Sequence, residues 1–132
     1  PRRHALLDAL QMAGEGLARA LRDRRAAEEC LPAGARRVVA AGARGWLYPV
    51  ATEPGDVYRL FLWFDGAAYQ VKVVDPDVER FDPHACHLFR DARICLGRSH
   101  GGGMPTLRDA YARSVLWANG HAVYRRTGSF PF

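Results

Sequence analysis

Apolar positions in the first thirty residues recur at the spacing of a helix. Four leucines follow one another at intervals of four, seven and four residues, which places them on one stripe. Arginines occupy much of the remaining surface, so the helix predicted over residues 2–29 has a basic outer face. Glycines inside it, each costing up to about 1 kcal/mol against alanine, make a break into two shorter helices an alternative. The leucines are Leu6, Leu10, Leu17 and Leu21.

The middle of the chain carries the signals of strands and turns. Runs rich in branched and aromatic residues predict an antiparallel meander, and Asp65-Gly66 matches the preferred two-residue hairpin signal. In the last run, apolar residues alternate with Gln70 and Lys72, which predicts one packed and one solvated face. The predicted strands are residues 36–41, 45–50, 57–64 and 69–74.

The last third of the chain is irregular and then helical. After residue 74 the period is lost, and two prolines predict an extended surface segment that leads to Cys95. Thr106 is a good N-cap, with Asp109 three residues on, and Gly120 is a natural helix stop. The order of elements predicts an α+β fold: an N-terminal helix, an antiparallel β-meander, a cysteine-bearing loop and one or two C-terminal helices.

Bulk composition predicts one ordinary globular domain over residues 1–132. The apolar fraction is 48% and the charged fraction 25%, and no apolar run approaches the length of a membrane span. Acidic residues and glycines interrupt the N-terminal apolar stretch, so we expect no signal peptide. The cysteines Cys30, Cys86 and Cys95 are odd in number, which argues against a disulfide framework and favours the reducing cytoplasm.

The net charge of +5 comes almost wholly from arginine, because Lys72 is the one lysine of the chain. A basic balance can indicate a nucleic-acid surface. Here the arginines are scattered through every segment, and no aromatic residues alternate with them as in single-strand binders. Nucleic acid is therefore disfavoured as a partner.

Cys95 is the candidate for chemistry. It lies between Ile94 and Leu96, with arginines at positions 90, 93 and 98. Such a cysteine is either a buried space filler or an activated thiol, and positive charge favours the reactive thiolate. Three glycines at positions 101–103 leave the backbone free to move clear of the sulfur, which makes room for a bulky partner.

Residues 84–132 resemble the active-site region of ubiquitin-conjugating enzymes, and more closely their compact bacterial relatives in defence-type operons. The pattern of those relatives is H-x-aromatic-x-x-x-x-(I/L)-C-L, then a loop, a helix with a tryptophan, and an ending T-G-x-aromatic-P. The matching residues are, in order, His87, Phe89, Ile94, Cys95, Leu96, Trp117, Tyr124, Thr127, Gly128, Phe130 and Pro131. The first half of the chain resembles the family only in its order of elements.

The resemblance implies the ubiquitin-conjugating-enzyme fold and a cysteine transferase of the cytoplasm, acting in a bacterial antiviral (antiphage) defence system. Cys95 would accept a ubiquitin-like protein from an activating enzyme as a thioester and pass it to a target protein. It implies no cofactor and no metal. Supporting residues around the cysteine would be His87, Arg93, Arg98, Ser99 and His100. The first helix would help dock the activating enzyme, through the exposed arginines Arg2, Arg3 and Arg22.

The chain also departs from the family. Eukaryotic members carry H-P-N ahead of the cysteine, and their asparagine is thought to stabilise the oxyanion formed during transfer. Between His84 and Cys95 there is no asparagine, so a backbone N–H, an arginine or a histidine must take that role. Met104 stands where a tryptophan is usual.

Three alternatives stay open from the sequence. Five residues supply enough nitrogen and sulfur ligands for a tetrahedral zinc site, although their spacing matches no standard finger. A cysteine hydrolase would use His87 or His100 as the base for Cys95. A non-catalytic binding module of the same fold would need no accessible thiol. The candidate zinc ligands are His84, Cys86, His87, Cys95 and His100.

Overall fold

The computed structural model describes residues 2–132, so residue 1 of the predicted domain 1–132 lies outside the described residues. The α+β class and the order of elements are as predicted. By their internal contacts, residues 2–30 form one compact unit and residues 31–132 form another. The elements in chain order are α1 (Arg2–Cys30), β1 (Arg36–Ala40), β2 (Ala43–Ala51), β3 (Val57–Phe64), β4 (Tyr69–Asp75), a 3-10 turn (His100–Gly102) and α2 (Leu107–Thr127).

α1 is a single helix of 29 residues, so the predicted alternative of a break near Gly14 and Gly16 is wrong. A Cβ added at either glycine would meet open space. The four leucines of the predicted stripe are between 59% and 63% exposed. The arginines Arg2, Arg3 and Arg22 are exposed as well. Neither helix in the described part of the chain is long and apolar enough to cross a membrane.

The four strands form one antiparallel sheet in the order β1-β2-β3-β4. Strand β3 has the predicted bounds, because its run of branched and aromatic residues ends at a turn on each side. The loop after it differs: Phe64 pairs with Tyr69, so the hairpin has four loop residues and the predicted two-residue turn is wrong. The reason is Asp65, whose carboxylate accepts the N–H groups of Ala67 and Ala68, both at 2.8 Å. These hydrogen bonds lower the pKa of Asp65, and the bond from Ala68 has the largest effect.

One face of the sheet carries the core and packs against α2. Tyr48, Leu60 and Val73 share this face by their register and are buried. The hydroxyl of Tyr48 lies 2.6 Å from Ser114 Oγ on α2, which fixes the helix over β2. The opposite face was predicted to be solvated, but Gln70 on it is only 2% exposed. The prediction is therefore wrong for Gln70 and right for Lys72, which is exposed.

α2 begins as predicted and ends later. Thr106 Oγ1 accepts the N–H of Asp109 at 3.1 Å, which is the predicted cap. The helix then continues through Gly120 to Thr127, so the predicted stop at Gly120 is wrong. An added Cβ at Gly120 would lie 2.7 Å from the ring of Phe130, so this glycine makes room for the C-terminal tail. Gly128 is the actual cap, with φ of 76° and its N–H donating to the carbonyl of the last turn.

The segment between β4 and α2 follows the free edge of the sheet. It holds no helix or strand before the 3-10 turn, as the loss of period predicted. The N–H of Ile94 donates to the carbonyl of Val71 at 2.8 Å, and the N–H of Val73 donates to the carbonyl of Ala92 at 3.0 Å. Backbone hydrogen bonds to β4 therefore set the position of the neighbouring Cys95.

Candidate active site around Cys95

Cys95 is an exposed thiol on a fixed backbone. Its neighbours Ile94 and Leu96 are buried, 0% and 6% exposed, and they anchor the strand-like stretch on both sides. The Cys95 N–H donates to the carbonyl of His87 at 2.9 Å. Its Sγ lies 3.4 Å from the carbonyl oxygen of Gly97 and donates to it. The side chain is thus held at the surface and open to a reagent.

The other two cysteines are in different surroundings. Cys86 is fully buried, and burial raises the pKa of its thiol above the ordinary value. Cys30 is half-buried, and burial raises the pKa of its thiol too. Cys95 is therefore the most exposed cysteine among the described residues.

A shallow groove of about 150 Å³ opens beside Cys95. Its walls come from three places: the loop before the cysteine, the face of α2, and the C-terminal tail. Most of the lining is aromatic or aliphatic, and the one arginine in it is Arg113. The lining residues are His87, Ile94, Cys95, Leu96, Arg113, Leu116, Trp117, Phe130 and Phe132.

His87 connects the loop to the tail. Its φ of 54° is unusual for a residue with a side chain, and this bend turns its carbonyl toward Cys95. The imidazole packs edge-on against Phe130, with ring centroids 4.9 Å apart. These contacts are those of a side chain that holds the loop against the tail, rather than those of a base directed at the thiol. Gly128 and Phe130 contribute to this contact. Gly128 ends α2 as its C-cap, and the chain then turns so that the ring of Phe130 lines the groove.

Trp117 connects α2 to the same loop. Its indole Nε1 donates to the carbonyl of Cys86 at 2.7 Å, in a buried position. The ring also stacks on His121 at 4.8 Å between centroids. The tryptophan of the matched pattern therefore holds the residue that precedes His87, and through it the backbone next to Cys95.

Arg93 is engaged in a clamp on the loop that follows the cysteine. Its Nη1 donates to Gln70 Oε1 at 2.9 Å and to the carbonyl of Gly101 at 2.6 Å. The guanidinium lies over the ring of Phe89, 4.0 Å from its centroid. Gln70 Nε2 in turn donates to Asp65 Oδ2 at 3.0 Å. The predicted action of Arg93 on the thiolate stays a prediction, and its contacts are those of a loop anchor.

The loop after Cys95 is tightly wound. His100 and Gly101 have φ of 57° and 63°, and Ser99 Oγ lies 3.0 Å from Nδ1 of His100. A Cβ at Gly102 would lie 2.7 Å from Phe89, and one at Gly103 would lie 2.6 Å from a backbone oxygen. These two glycines therefore serve close packing, while Gly101 remains exposed.

Arg98, Ser99 and His100 are all exposed, and none of them lines the groove. The roles predicted for them stay predictions.

The zinc arrangement fails on geometry: within residues 2–132, no three His, Cys, Asp or Glu side chains are placed to hold a metal ion. Cys86 is buried while Cys95 is exposed, so the proposed ligands do not face one point.

Sequence reasoning missed three functional or structural positions. Arg113 lines the groove, but on sequence it is one of several arginines on a helix. Gln70 was placed on a solvated face by alternation alone. His121 is fully buried and its Nδ1 lies 2.6 Å from the Tyr58 hydroxyl. A helix that was expected to stop at Gly120 gave no reason to place His121 in the core.

A scan of the chain against protein-family models matches none, and searches against curated proteins and against solved structures find no match.

Proposed function

We propose that this chain is a cysteine transferase of the ubiquitin-conjugating-enzyme fold, which carries a ubiquitin-like protein as a thioester on Cys95. The observation that carries the proposal is the contrast among the cysteines. Cys95 is exposed beside a groove on a hydrogen-bonded backbone, whereas Cys86 is buried and Cys30 half-buried. An α+β chain with this order of elements supports the same fold.

The reaction consists of two acyl exchanges. The thiolate of Cys95 attacks the carbonyl carbon of the thioester between the activating enzyme and the C-terminal glycine of the ubiquitin-like protein. A new C–S bond forms, and the thiolate of the activating enzyme leaves. In the second exchange an amine of the target attacks the same carbon, a C–N bond forms, and Cys95 leaves as thiolate. The displaced proton of the amine goes to solvent.

Positioning is the main task of the protein in such a reaction. Exchange between thioesters is nearly isoenergetic, so the gain comes from holding the reacting groups together. The buried neighbours Ile94 and Leu96 and the hydrogen bond to His87 fix the attacking sulfur. The partners of the proposal are a ubiquitin-like protein, an activating enzyme and a target protein, in a bacterial defence system.

A charging assay tests the proposal. The chain is incubated with ATP and with the activating enzyme and ubiquitin-like protein encoded beside it, in parallel with Cys95→Ala and Cys86→Ala. We expect an adduct on a non-reducing gel that disappears with added thiol and is absent from Cys95→Ala. Cys86→Ala is the matched control and should still form it, provided that its circular dichroism spectrum matches that of the wild type.

If the activating enzyme itself is visibly charged and no adduct forms on the wild-type chain, the transferase proposal is wrong. The non-catalytic binding module then becomes the better candidate. The exposed leucine stripe of α1 is the observation that favours it, because such a stripe is suited to contact with another protein.

A further inference from the structure

We propose that Arg113 is a catalytic residue that donates hydrogen bonds to the oxyanion formed during acyl transfer at Cys95. The inference rests on the proposed acyl transfer, and it names a residue for the role that the missing asparagine leaves open. The observation that supports it is the groove of about 150 Å³, which Arg113 and Cys95 both line.

The position of Arg113 follows from the attachment of α2. Arg113 precedes Trp117 by four residues, so the two side chains emerge from the same face of the helix. The indole of Trp117 is hydrogen bonded to the carbonyl of Cys86, next to His87, whose own carbonyl accepts the Cys95 N–H. This chain of contacts places one turn of α2, with Arg113 on it, over the backbone that carries the thiol.

The other nearby cations are less suited to the role. Arg93 is engaged with Gln70, Gly101 and the ring of Phe89. Arg98 is exposed and lies outside the groove lining. The ring of His87 is packed against the tail. Arg113 is exposed, and within residues 2–132 no hydrogen bond or ion pair engages its guanidinium.

The chemistry of the groove fits this assignment. When the Cys95 thiolate attacks an acyl carbon, the C=O bond pair moves onto oxygen and a tetrahedral oxyanion forms. The planar guanidinium of arginine presents several N–H donors and keeps its charge at any pH of interest. Donors aimed at the developing charge accelerate such steps, because they bind the intermediate more strongly than the ground state.

Two reagents separate this role from a general effect on the thiol. p-Nitrophenyl acetate acylates Cys95: a C–S bond forms, p-nitrophenolate leaves, and the reaction passes through an oxyanion. Iodoacetamide alkylates the same sulfur with loss of iodide and forms no oxyanion. Both consume the thiolate, so the ratio of their rate constants cancels the thiolate fraction. The assays use the full chain at about 0.15 M salt, with Cys95→Ala as background.

We expect Arg113→Ala to lower the ratio of acylation to alkylation on the order of tenfold, below the loss seen for a donor in a closed active site. Arg113→Lys keeps the charge but not the planar fork, so its ratio should lie between those of wild type and Arg113→Ala. Arg108→Ala removes another exposed arginine of α2 and should leave the ratio unchanged. An unchanged ratio in Arg113→Ala would overturn the inference, whatever the separate rates do.

The result is independent of the charging assay. The ratio is measured without the ubiquitin-like protein, so wild-type chain that fails to be charged refutes the proposed function alone. Chain that is charged normally, with an unaltered ratio in Arg113→Ala, refutes the role of Arg113 alone. Matching circular dichroism spectra of wild type and variant show that the variant has kept its fold.

Discussion

Single residues around Cys95 have different tasks although their sequence distances are similar. Arg93 and Arg98 lie two and three residues from the cysteine. Arg93 is mostly covered, with 23% of its side chain exposed, and it contacts Asp91 as well as the three partners of the clamp. Arg98 is exposed. Contacts rather than spacing therefore decide which arginine is structural.

The clamp predicts a difference in stability between two arginine variants. Arg93→Ala leaves the buried amide oxygen of Gln70 without its donor and frees the carbonyl of Gly101, which costs about 1–3 kcal/mol. Arg98→Ala should change the free energy of unfolding by no more than about 0.5 kcal/mol. Urea denaturation followed by circular dichroism measures both. Equal stability of the two variants would mean that the clamp contributes nothing.

At the level of elements, one buried polar pair joins β3 to α2. His121 is 0% exposed, its Nδ1 lies 2.6 Å from the hydroxyl of Tyr58, and its ring contacts Phe81 and Trp117. Its Nε2 has no hydrogen-bond partner among the described residues. Burial lowers the pKa of His121 to about 4, with the charges of nearby arginines adding to the effect.

This pair predicts that stability falls in weakly acidic solution. In the unfolded chain the imidazole titrates near its ordinary pKa of 6.5, so the unfolded state binds the proton more tightly than the folded state. The stabilisation is complete above pH 6.5 and is lost as the pH falls toward 4, by up to about 3 kcal/mol. Urea unfolding between pH 7 and pH 4.5 measures it.

The control replaces both members of the pair. The double variant Tyr58→Phe with His121→Phe substitutes apolar groups of similar shape, which can be close to neutral for stability. Its stability should depend much less on pH in this range. Asp56 and Asp65 do not explain a loss above pH 4.5, since their pKa values are lowered below the ordinary 3.8. An equally steep loss in the double variant would contradict the assignment to His121.

The elements show what the sequence could and could not predict. The bounds of β3 and the cap at Thr106 are local properties, and both were predicted correctly. The end of α2 was not, because Gly120 accommodates a ring ten residues later in the chain. Gln70 was misplaced for a similar reason: its partner Arg93 comes from a loop without periodicity. Cys95 could be singled out from the residues adjacent to it in the sequence. The position of Arg113 in the groove could not, because it depends on how α2 packs against the loop.

For the whole molecule, charge is the property most relevant to partners. The formal net charge is +5, and the arginines are spread over both helices, the sheet and the segment between β4 and α2. Arg2, Arg3 and Arg22 on α1 are exposed, as the docking prediction requires. Charged surfaces accelerate the encounter of two proteins, and this acceleration weakens as salt increases. A docking role for α1 therefore has a kinetic signature.

We expect the triple variant Arg2→Ser, Arg3→Ser and Arg22→Ser to be charged more slowly by the activating enzyme, on the order of tenfold at low salt. The deficit should shrink as salt is added, because screening weakens the attraction in the wild type too. Alkylation of Cys95 by iodoacetamide should stay at the wild-type rate, since the groove is unchanged.

The matched control removes three exposed arginines from the sheet instead. Those are Arg36→Ser, Arg44→Ser and Arg59→Ser, and both triple variants lower the formal net charge from +5 to +2. If both are charged equally slowly, the effect belongs to net charge and α1 has no special part in docking. If only the α1 variant is slowed, the activating enzyme approaches along this helix. Because net charge is equal in the two variants, the comparison separates the position of the charges from their number.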